Sequence, residues 1–592
     1  MLGTKHWRNI VGSFFISLGI YVLNNISGVN FDNEYLIYYG LIFFGVYQTY
    51  KYSNKLSLLP NWLVYSVSLI ISVVLFLSIS FSLYGNLTLL KSNKVATIIC
   101  IFSLGLLVKN ICLIVLNLFA KDSLISDKEE YVSWKRIFSI LVLCWLIYFL
   151  PYLPGSIAGD GNYQLAEYFG YVNDAMSNHQ PYVTTLFEGV IFQIGRHIND
   201  NFGLFLYAVI QIIITATIYS YCIKKLSQFR LKRIAVYSLT FLVGLLPYWS
   251  LLAPTLQKDT LFIAFFGLFV INVLEVIDAV MIRNKPVTNK LVLKLIITGL
   301  LVSFWRNNGI VEVLPTLIAL VLIANRKYWK KFLVASIIIL GIYGSFEKIV
   351  MPSLGIVPTE KREAFALPMQ QTARYMKYHA DDLNSVERSE LRKTFYNYKK
   401  LGELYNPYIA DSVKVDMRLD FDTATYLKVW VSMGIEHPIT YLQATFGGTY
   451  LYYSPQIRAN SFVWCAEISD YARDSRIKIN QFAPKKFRDA FTVLITNIAN
   501  FPLVNILIND ALCVWVSLLM FLVFIYKKKY ALAIPFIPIA LNVLVCIASP
   551  VDGLNRYSGC IVFTSYCIAL LFGLWIKQIG NVEQGKAARE DK

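Results

Sequence analysis

Residues 61–84 read NWLVYSVSLIISVVLFLSISFSLY, a run of 24 residues without one charged side chain. As an α-helix this run is long enough to cross a hydrocarbon layer of roughly 30 Å, and a helix satisfies its own backbone hydrogen bonds there. The whole chain of 592 residues has the same character, because 56% of it is hydrophobic and only 16% is charged, whereas soluble proteins carry about 25% charged residues. The sequence therefore predicts an all-α polytopic membrane protein.

Apolar runs of this kind recur along the chain and predict about fourteen transmembrane helices. The predicted spans are 9–29, 35–50, 61–84, 95–120, 137–153, 203–223, 234–252, 259–281, 291–305, 310–325, 332–350, 509–526, 531–549 and 558–576. Three of them, 35–50, 291–305 and 310–325, are short, which is compatible with tilted or broken helices.

Lysine and arginine concentrate in the loops on one side of these spans. The basic loops are Lys51 to Lys55, 121–136, Lys224 to Arg233, Arg283 to Lys290, Arg326 to Lys331 and Lys527 to Lys529. Because basic loops stay in the cytoplasm, the pattern predicts a multi-pass protein of the plasma membrane with both termini cytoplasmic. This distribution accounts for the net charge of +18 without a nucleic-acid surface, which would gather the charge on one patch.

Two segments on the opposite side are too long to be simple connectors. One is the loop 154–202, and the other is a segment in which acidic and basic residues balance. The predicted organisation has four parts: N-terminal helices (1–136), a transmembrane core that carries the loop (137–351), a mostly helical extracytoplasmic domain (352–508), and C-terminal helices with a cytoplasmic tail (509–592).

The loop 154–202 carries the first candidate site residues. Asp160 stands between two glycines just beyond a span, Gln164 follows one helical turn later, and His179 lies further along. A carboxylate at the membrane surface is suited to general-base chemistry. Aspartate is also a favoured helix N-cap, so capping is the alternative role of Asp160, and a solvated loop position is the alternative for His179.

Polar residues also stand at the outer ends of other predicted spans. These residues are Lys258, Asp259, Arg306, Asn307, Arg556 and Tyr557. Arginine is statistically disfavoured on this side of a membrane, while its planar guanidinium suits phosphate recognition. A local pair between Lys258 and Asp259 is an alternative. Because distant parts of the chain place these residues at one depth, we predict that they line one polar cavity with Asp160.

The extracytoplasmic domain opens with a further polar segment, in which Gln370, Gln371 and Arg374 follow Pro368. The alternative is a helix with proline in its first turn and glutamines on its surface. Eight of the nine cysteines lie in or beside apolar runs without paired spacing. This pattern argues against a disulfide framework or a zinc site, and we predict no metal ligands.

The motifs in these segments resemble an uncharacterised bacterial membrane family over residues 150–560. They are GDGxxQ from Gly159, HxPxxxT from His179, KD at Lys258, RNNG from Arg306, PxQQxAR from Pro368 and RY at Arg556. The architecture resembles the GT-C glycosyltransferase superfamily, which takes sugars from polyprenyl-phosphate carriers on the outer face of the membrane. Several branches of that superfamily carry two acidic residues where this chain has Asp160 alone, which leaves the need for a divalent cation open.

The GT-C resemblance implies a transferase of the cell envelope or cell wall in which Asp160 is the catalytic base. The implied substrate-binding residues are Gln164, His179, Lys258, Asp259, Arg306, Asn307, Gln370, Gln371, Arg374, Arg556 and Tyr557. The implied partners are a lipid-linked sugar donor, an envelope glycan or glycopolymer acceptor and membrane lipid, with no nucleic acid.

Two other functions fit the same sequence. A polysaccharide or lipid-linked sugar transporter would place coupling charges near the membrane midplane. Lys109, Lys294 and Glu312 lie inside predicted spans, scattered along the sequence without an evident partner. A non-catalytic envelope-assembly protein would use the extracytoplasmic domain as a docking surface.

Overall fold

The computed structural model describes residues 2–28, 35–53, 58–172, 175–324, 327–455, 476–549, 551 and 553–590. Parts of the predicted features fall outside the described residues: 29 of the first span, 54–55 and 326 of two basic loops, 173–174 of the first external loop, 325 of a span, 456–475 of the extracytoplasmic domain and 591–592 of the tail. The described chain is almost entirely helical, and its two named strands are two residues long each.

The N-terminal helices form a group around one long helix. They are α1 (Leu2–Ile26), α2 (Tyr35–Ser53), α3 (Asn61–Tyr84), α4 (Thr88–Ser92) and α5 (Lys94–Ala120). α1, α2 and α3 each pack against α5. Residues 61–84 form the single helix α3, with the predicted bounds.

The central part of the chain contains the two strands. Its elements are α6 (Trp134–Phe149), β1 (Ser156–Ile157), α7 (Gly159–Tyr168), α8 (Tyr182–Arg196), α9 (Asp200–Gln228), α10 (Arg233–Leu245), α11 (Pro247–Leu252), β2 (Thr255–Leu256), α12 (Lys258–Ile277), α13 (Asn289–Trp305), α14 (Gly309–Ala319), α15 (Trp329–Ser345) and α16 (Met351–Ser353). α12 is buried on nearly all sides between α9, α13 and the last helix, as expected of a helix that is apolar all round.

The segment predicted to be extracytoplasmic has a hydrophobic core of its own, and we keep the name extracytoplasmic domain for its helices. Its helices are α17 (Ala366–His379), α18 (Ser385–Thr394), α19 (Leu401–Leu404), α20 (Asp411–Lys414), α21 (Thr423–Glu436) and α22 (Pro438–Gly447). Met369, Leu391 and Tyr426 lie in this core, and Tyr441 is its last described residue. The core therefore ends well before residue 508, where the sequence places the domain boundary.

The C-terminal part begins with a bent helix pair. Its helices are α23 (Lys485–Asn500), α24 (Pro502–Ile508), α25 (Asp510–Tyr526), α26 (Tyr530–Ala533), α27 (Ile537–Ala548) and α28 (Asn555–Glu590). Ile495, Ala499 and Ile508 of the bent pair join the hydrophobic core of the membrane helices. Residues 485–508 therefore pack with the membrane part rather than with the extracytoplasmic domain to which the sequence assigns them.

Among the described residues, nine helices are long and apolar enough to cross a membrane, or ten if α23 and α24 form one span. They are α1, α3, α5, α6, α9, α12, the segment Trp329–Ser353, the segment Tyr530–Ala548 and α28. Several of the fourteen predicted spans correspond to shorter helices. One cause is Pro247, since the residue before proline avoids helical geometry and α10 ends at Leu245. The nine helices indicate a multi-pass membrane protein.

Candidate functional site

The two short strands bring two helix N-termini together. β1 and β2 pair in parallel with Ser156 opposite Thr255 and Ile157 opposite Leu256. Each strand leads, after one residue, into a helix, so that α7 and α12 begin side by side. Asp160 lies in the first turn of α7 and Lys258 is the first residue of α12. The unpaired N–H groups of two helix N-termini favour bound anions at this junction.

Gly161 allows this close approach. A Cβ atom at this position would overlap the carbonyl oxygen of Leu256 in β2. The second glycine of Gly-Asp-Gly is therefore required by backbone contact between α7 and the other strand. No side-chain capping bond is formed at the start of α7, so the alternative role of Asp160 as a helix cap is not observed.

Asp160 lies between two cations. Its Oδ2 atom is 2.8 Å from Lys258 Nζ and 2.9 Å from Arg556 Nη1. Lys258 also donates to Gln180 Oε1. The predicted local alternative, a pair between Lys258 and its neighbour Asp259, is therefore replaced by a contact across the parallel strands.

The charges determine the protonation state of Asp160. Burial alone would raise the pKa of its carboxyl, but the attraction of Lys258 and Arg556 outweighs burial and holds the pKa well below its ordinary value. Glu188, on α8, is buried nearby, and burial raises its pKa well above the usual range, with Asp160 and Asp259 adding to the effect and Lys258 opposing it. The two cations thus favour the charged form of Asp160, whereas burial favours the neutral form of Glu188.

Asp160 and its cations open onto a cavity of about 940 Å³. Its polar lining includes Asp160, His179, Lys258, Arg306, Asn307, Arg556 and Tyr557. Seven of the twelve predicted site residues thus meet in one place, although they come from four separate regions of the chain. The extracytoplasmic domain covers another side of the cavity with Thr359, Glu360, Lys361, Glu363, Ala364, Ala366, Ile409–Asp411 and Lys414.

Arg306 and Arg556 are held by the same tyrosine. The guanidinium carbon of Arg306 lies 4.5 Å from the centre of the Tyr557 ring, and that of Arg556 lies 4.8 Å from it. Arg556 also donates to the Tyr557 hydroxyl at 2.9 Å. Stacking on an aromatic ring restricts a guanidinium without consuming all its donors, so both arginines remain suited to an anion in the cavity.

Asn307 and His179 organise the rim of the cavity. The Asn307 side chain donates to the carbonyl oxygen of Asn178 at 2.8 Å, which ties the segment before His179 to the end of α13. His179 Nδ1 lies 3.7 Å from a carboxylate oxygen of Glu363 in the extracytoplasmic domain. His179 is therefore placed at a contact between loop and domain, and not as an isolated loop residue.

Two predicted site residues lie behind the cavity wall. Gln164 is buried and donates to the hydroxyls of Thr184 and Thr185 at 2.8 and 3.1 Å, which joins α7 to α8. Asp259 is fully buried, with its Oδ2 atom 3.9 Å from Arg556 Nη1. Neither residue lines the cavity, so these contacts give both of them a supporting position.

The glutamines and arginine of α17 are not brought to this cavity. Gln370 donates to the carbonyl oxygen of Asn406 at 2.7 Å, and Gln371 donates to the hydroxyl of Thr445 at 2.9 Å. Arg374 donates to the Tyr405 hydroxyl at 3.0 Å. All three are buried inside the extracytoplasmic domain, so the alternative of surface glutamines is wrong. Substrate binding by these three residues stays a prediction that the described contacts do not support.

The structure adds cavity residues that the sequence analysis did not select. Gln180 contacts Lys258, and its position directly after His179 was the available signal. Glu363 and Lys414, which both line the cavity, form an ion pair of 2.8 Å. They lie on separate elements of the extracytoplasmic domain, and no motif in the sequence connects them.

A second cavity, of about 600 Å³, lies between the extracytoplasmic domain and residues 86–91, which include the start of α4. Within the described chain, His379, Asp382 and His437 near this cavity are close enough to hold a metal ion. The two imidazole rings stack with centres 3.6 Å apart and planes 18° apart. Ring lone pairs lie in the ring plane, so two nearly parallel rings cannot both point at one ion. We assign no metal to this cluster.

The fold and the cavity define a class: a helical, multi-pass membrane protein with a carboxylate–cation cavity beneath an extra domain. The chain belongs to a family of unknown function, DUF6020, whose model matches residues 171–591. The matched region contains Lys258, Arg306 and Arg556, whereas Asp160 precedes it. No curated protein and no solved structure matches the chain.

Proposed function

We propose that this protein is a membrane glycosyltransferase that moves a sugar from a polyprenyl-phosphate carrier to a cell-envelope glycan or glycopolymer. The observation that carries the proposal is Asp160 held between Lys258 and Arg556 at the wall of a large cavity. A carboxylate and fixed cations at one point match the two needs of such a transfer: a base for the acceptor and positive charge for the leaving phosphate.

The chemistry assigns each group a step. The acceptor oxygen forms a bond to the anomeric carbon while its proton passes to Asp160. The bond from the anomeric carbon to the phosphate oxygen breaks, and its electron pair stays on the carrier phosphate. Lys258, Arg306 and Arg556 stabilise that charge, since all three line the cavity and arginine binds phosphate oxygens in pairs.

The low pKa of Asp160 imposes a condition on this mechanism. A carboxylate that two cations hold ionised is a weak base. An arriving phosphate competes for Lys258 and Arg556, and the weaker pairing makes Asp160 more basic. Donor binding would thus prepare the base for the acceptor.

The cavity has an apolar side that suits the carrier's hydrocarbon tail. Val311 of α14 and Leu541, Leu544 and Val545 of α27 line it. Val311 is 50% exposed and Leu544 is 59% exposed. In a chain with membrane helices, exposed leucine and valine beside a charged pocket fit a lipid with an anionic head. The carrier tail would leave the cavity here.

The donor set does not fit a divalent cation at Asp160. Lys258 and Arg556 both lie within 3 Å of the one carboxylate oxygen, where a bound metal would stand, and like charges at such distances repel strongly. We therefore route no step through a metal.

The proposal includes a topology. A GT-C-like protein of about fourteen spans, with both termini in the cytoplasm of a bacterial cell, would place the cavity on the extracytoplasmic side of the plasma membrane. The charge bias of the loops supports this orientation. The shorter helices α2, α10, α13, α14 and α25 would supply the spans beyond the nine long ones.

The direct test is transfer by purified protein in lipid vesicles. A panel of polyprenyl-phosphate sugars is supplied with an envelope glycan acceptor, and release of free carrier phosphate is measured. We expect release with at least one donor and its loss in Asp160→Asn. No release with any donor, from protein that is folded and correctly oriented, would remove the proposal.

A transporter remains the second candidate, and one observation bears on it. Lys294 and Glu312, for which the sequence shows no evident partner, each have one in the structure. Lys294 Nζ lies 3.1 Å from Glu275, and Glu312 accepts from Asn542 at 2.8 Å. Paired charges inside helices are a feature of transporters. Movement of a labelled lipid-linked sugar across the vesicle membrane without cleavage would favour the transporter. If neither transfer nor movement occurs, a non-catalytic assembly role is favoured.

A further inference from the structure

The helix α23 has three distinct faces. Arg488, Phe491, Thr492 and Ile495 turn towards the rest of the protein and are partly or fully buried. At 100° per residue, Phe487, Leu494 and Ile498 fall on a second face, and all three are exposed, by 54%, 52% and 38%. A third face carries Lys486, Asp489 and Asn497 together with one apolar residue, Val493, and all four are exposed.

An apolar stripe beside a polar stripe on one exposed helix is typical of a helix lying in a membrane interface. A helix surrounded by water would not keep phenylalanine, leucine and isoleucine in one exposed row. The first five residues of α23 include four charged side chains, and a helix crossing the bilayer could place these in the hydrocarbon layer only at a cost. The faces of α23 therefore fit neither a helix surrounded by water nor a helix surrounded by lipid.

The continuation of the chain points to the same surroundings. α23 and α24 meet at a bend of 77° at Phe501. α24 is apolar, with Leu503 and Ile506 exposed, and it leads directly into the apolar helix α25. The exposed apolar surface of α23 is therefore continuous with surface that belongs to the membrane helices.

We infer that α23 lies flat in the headgroup region of the bilayer, with Phe487, Leu494 and Ile498 in the lipid and Lys486, Asp489 and Asn497 in the water. Its partner is the lipid surface itself. Lys485 and Lys486, both exposed at the start of the helix, match the phosphates of anionic lipids.

This placement has a consequence for the cavity. The Tyr152 hydroxyl lies 2.8 Å from that of Thr492 on α23. Phe482, just before α23, donates its N–H to the carbonyl oxygen of Leu153 at 2.8 Å. Residues 150–155 lead into β1 and Asp160. A helix seated at the lipid surface thus determines the height of Asp160 relative to the headgroups, whatever reaction the cavity performs.

The test measures the depth of α23 in reconstituted protein. A nitroxide is attached at Phe487→Cys, Leu494→Cys or Ile498→Cys in vesicles of phosphatidylcholine and phosphatidylglycerol. Asn497→Cys and Asp489→Cys are the matched controls on the polar face. Eight native cysteines are buried, and Cys465 is replaced by serine in the background. Accessibility to oxygen and to a water-soluble nickel chelate gives the depth of each label.

We expect the three stripe labels to favour oxygen several-fold over the chelate and to share one shallow depth, while both control labels favour the chelate. A depth that increases steadily from position 487 to position 498 would show a spanning helix and overturn the inference. Free access of the chelate to every label would overturn it as well. The measurement needs no substrate, so its outcome is separate from that of the transfer assay.

Discussion

A carboxylate lies between two cations near each end of helix α12. At its first residue, Lys258 and Arg556 hold Asp160 at 2.8 and 2.9 Å. In its last turn, Glu275 of α12 itself lies between two lysines. The two sites are separated by roughly 25 Å of helix, and they have the same kind of charge arrangement.

The environment of the second site is different. Lys225 Nζ and Lys294 Nζ lie 3.0 and 3.1 Å from Glu275, and Lys294 also donates to the Tyr221 hydroxyl at 3.0 Å. All of these groups come from packed helices, and none lines the cavities described above. The same ion triplet therefore joins helices at one end of α12 and faces a cavity at the other. Charge geometry by itself does not distinguish the two sites, whereas the cavity at Asp160 does.

The largest expected effect separates the two carboxylates directly. Asp160→Asn removes the proposed base and should lower transfer by about 100- to 10,000-fold, the range of general-base catalysis. Glu275→Gln should leave transfer nearly unchanged because Glu275 meets no substrate. Initial rates of carrier release in vesicles measure both, with protein amount and size-exclusion profile as controls. Equal losses in the two variants would end the functional distinction.

A second test acts on the pair of strands β1 and β2, which positions Asp160 beside Lys258 but has no part in the Glu275 site. Gly161→Ala forces α7 away from Leu256 and should shift Asp160 relative to Lys258. A displacement of about 1 Å at a reacting group costs about 100-fold in rate. Gly341→Ala is the matched control, since a Cβ there meets nothing within 4 Å. Normal transfer by the Gly161 variant would show that the junction does not position the reacting groups.

A smaller effect is expected on the pH dependence of transfer. The lowered pKa of Asp160 keeps its carboxylate ionised down to pH values below about 3.9, the ordinary aspartate pKa. Lys258→Met removes one cation while burial remains, so the acid limb of the rate profile should move to higher pH. Lys414→Met removes a cation that lines the cavity but pairs with Glu363 rather than with Asp160, and it should leave that limb in place. An unmoved limb in the Lys258 variant would contradict the pairing.

The smallest effect on transfer is expected at the site where Glu275 lies between Lys225 and Lys294. Lys294→Met should lower the free energy of unfolding by about 1 to 3 kcal/mol, between the values for exposed and fully buried pairs, because it removes one of the two lysines that neutralise Glu275. The rate should change by less than about twofold. Equilibrium unfolding in mixed micelles measures the loss, with Lys290→Met at an exposed position as control. A large loss of transport or transfer without loss of stability would give the Glu275 site a functional role.

Much of the helical framework could be predicted from the sequence. The bounds of α3 agree with the predicted span, and most of the other long helices lie close to theirs. The number of spans was less predictable, because a proline such as Pro247 divides an apolar run that looks continuous by composition. The packing of residues 485–508 with the membrane helices was hard to predict because α23 is amphipathic rather than wholly apolar.

The sequence predicted several of the residues that share the cavity, but it did not predict their contacts. Asp160, Lys258, Arg306 and Arg556 were expected at one level, and they do line one cavity. Gln370 was expected there by its motif, yet the packing of α17 turns it into the core of its own domain. The strand pair that brings Asp160 beside Lys258 could not be predicted from the sequence, because strands of two residues are too short to show an alternation of polar and apolar side chains.

The sequence by itself determined that this is a helical membrane protein and where most of its long apolar helices run. Hydropathy over about 20 residues is a local property of the chain, and a bilayer core admits little besides helices. Only the tertiary structure decided which polar side chains meet. Asp160 and Arg556 are hundreds of positions apart, and their 2.9 Å contact depends on how α7, α12 and α28 pack, which no local pattern encodes.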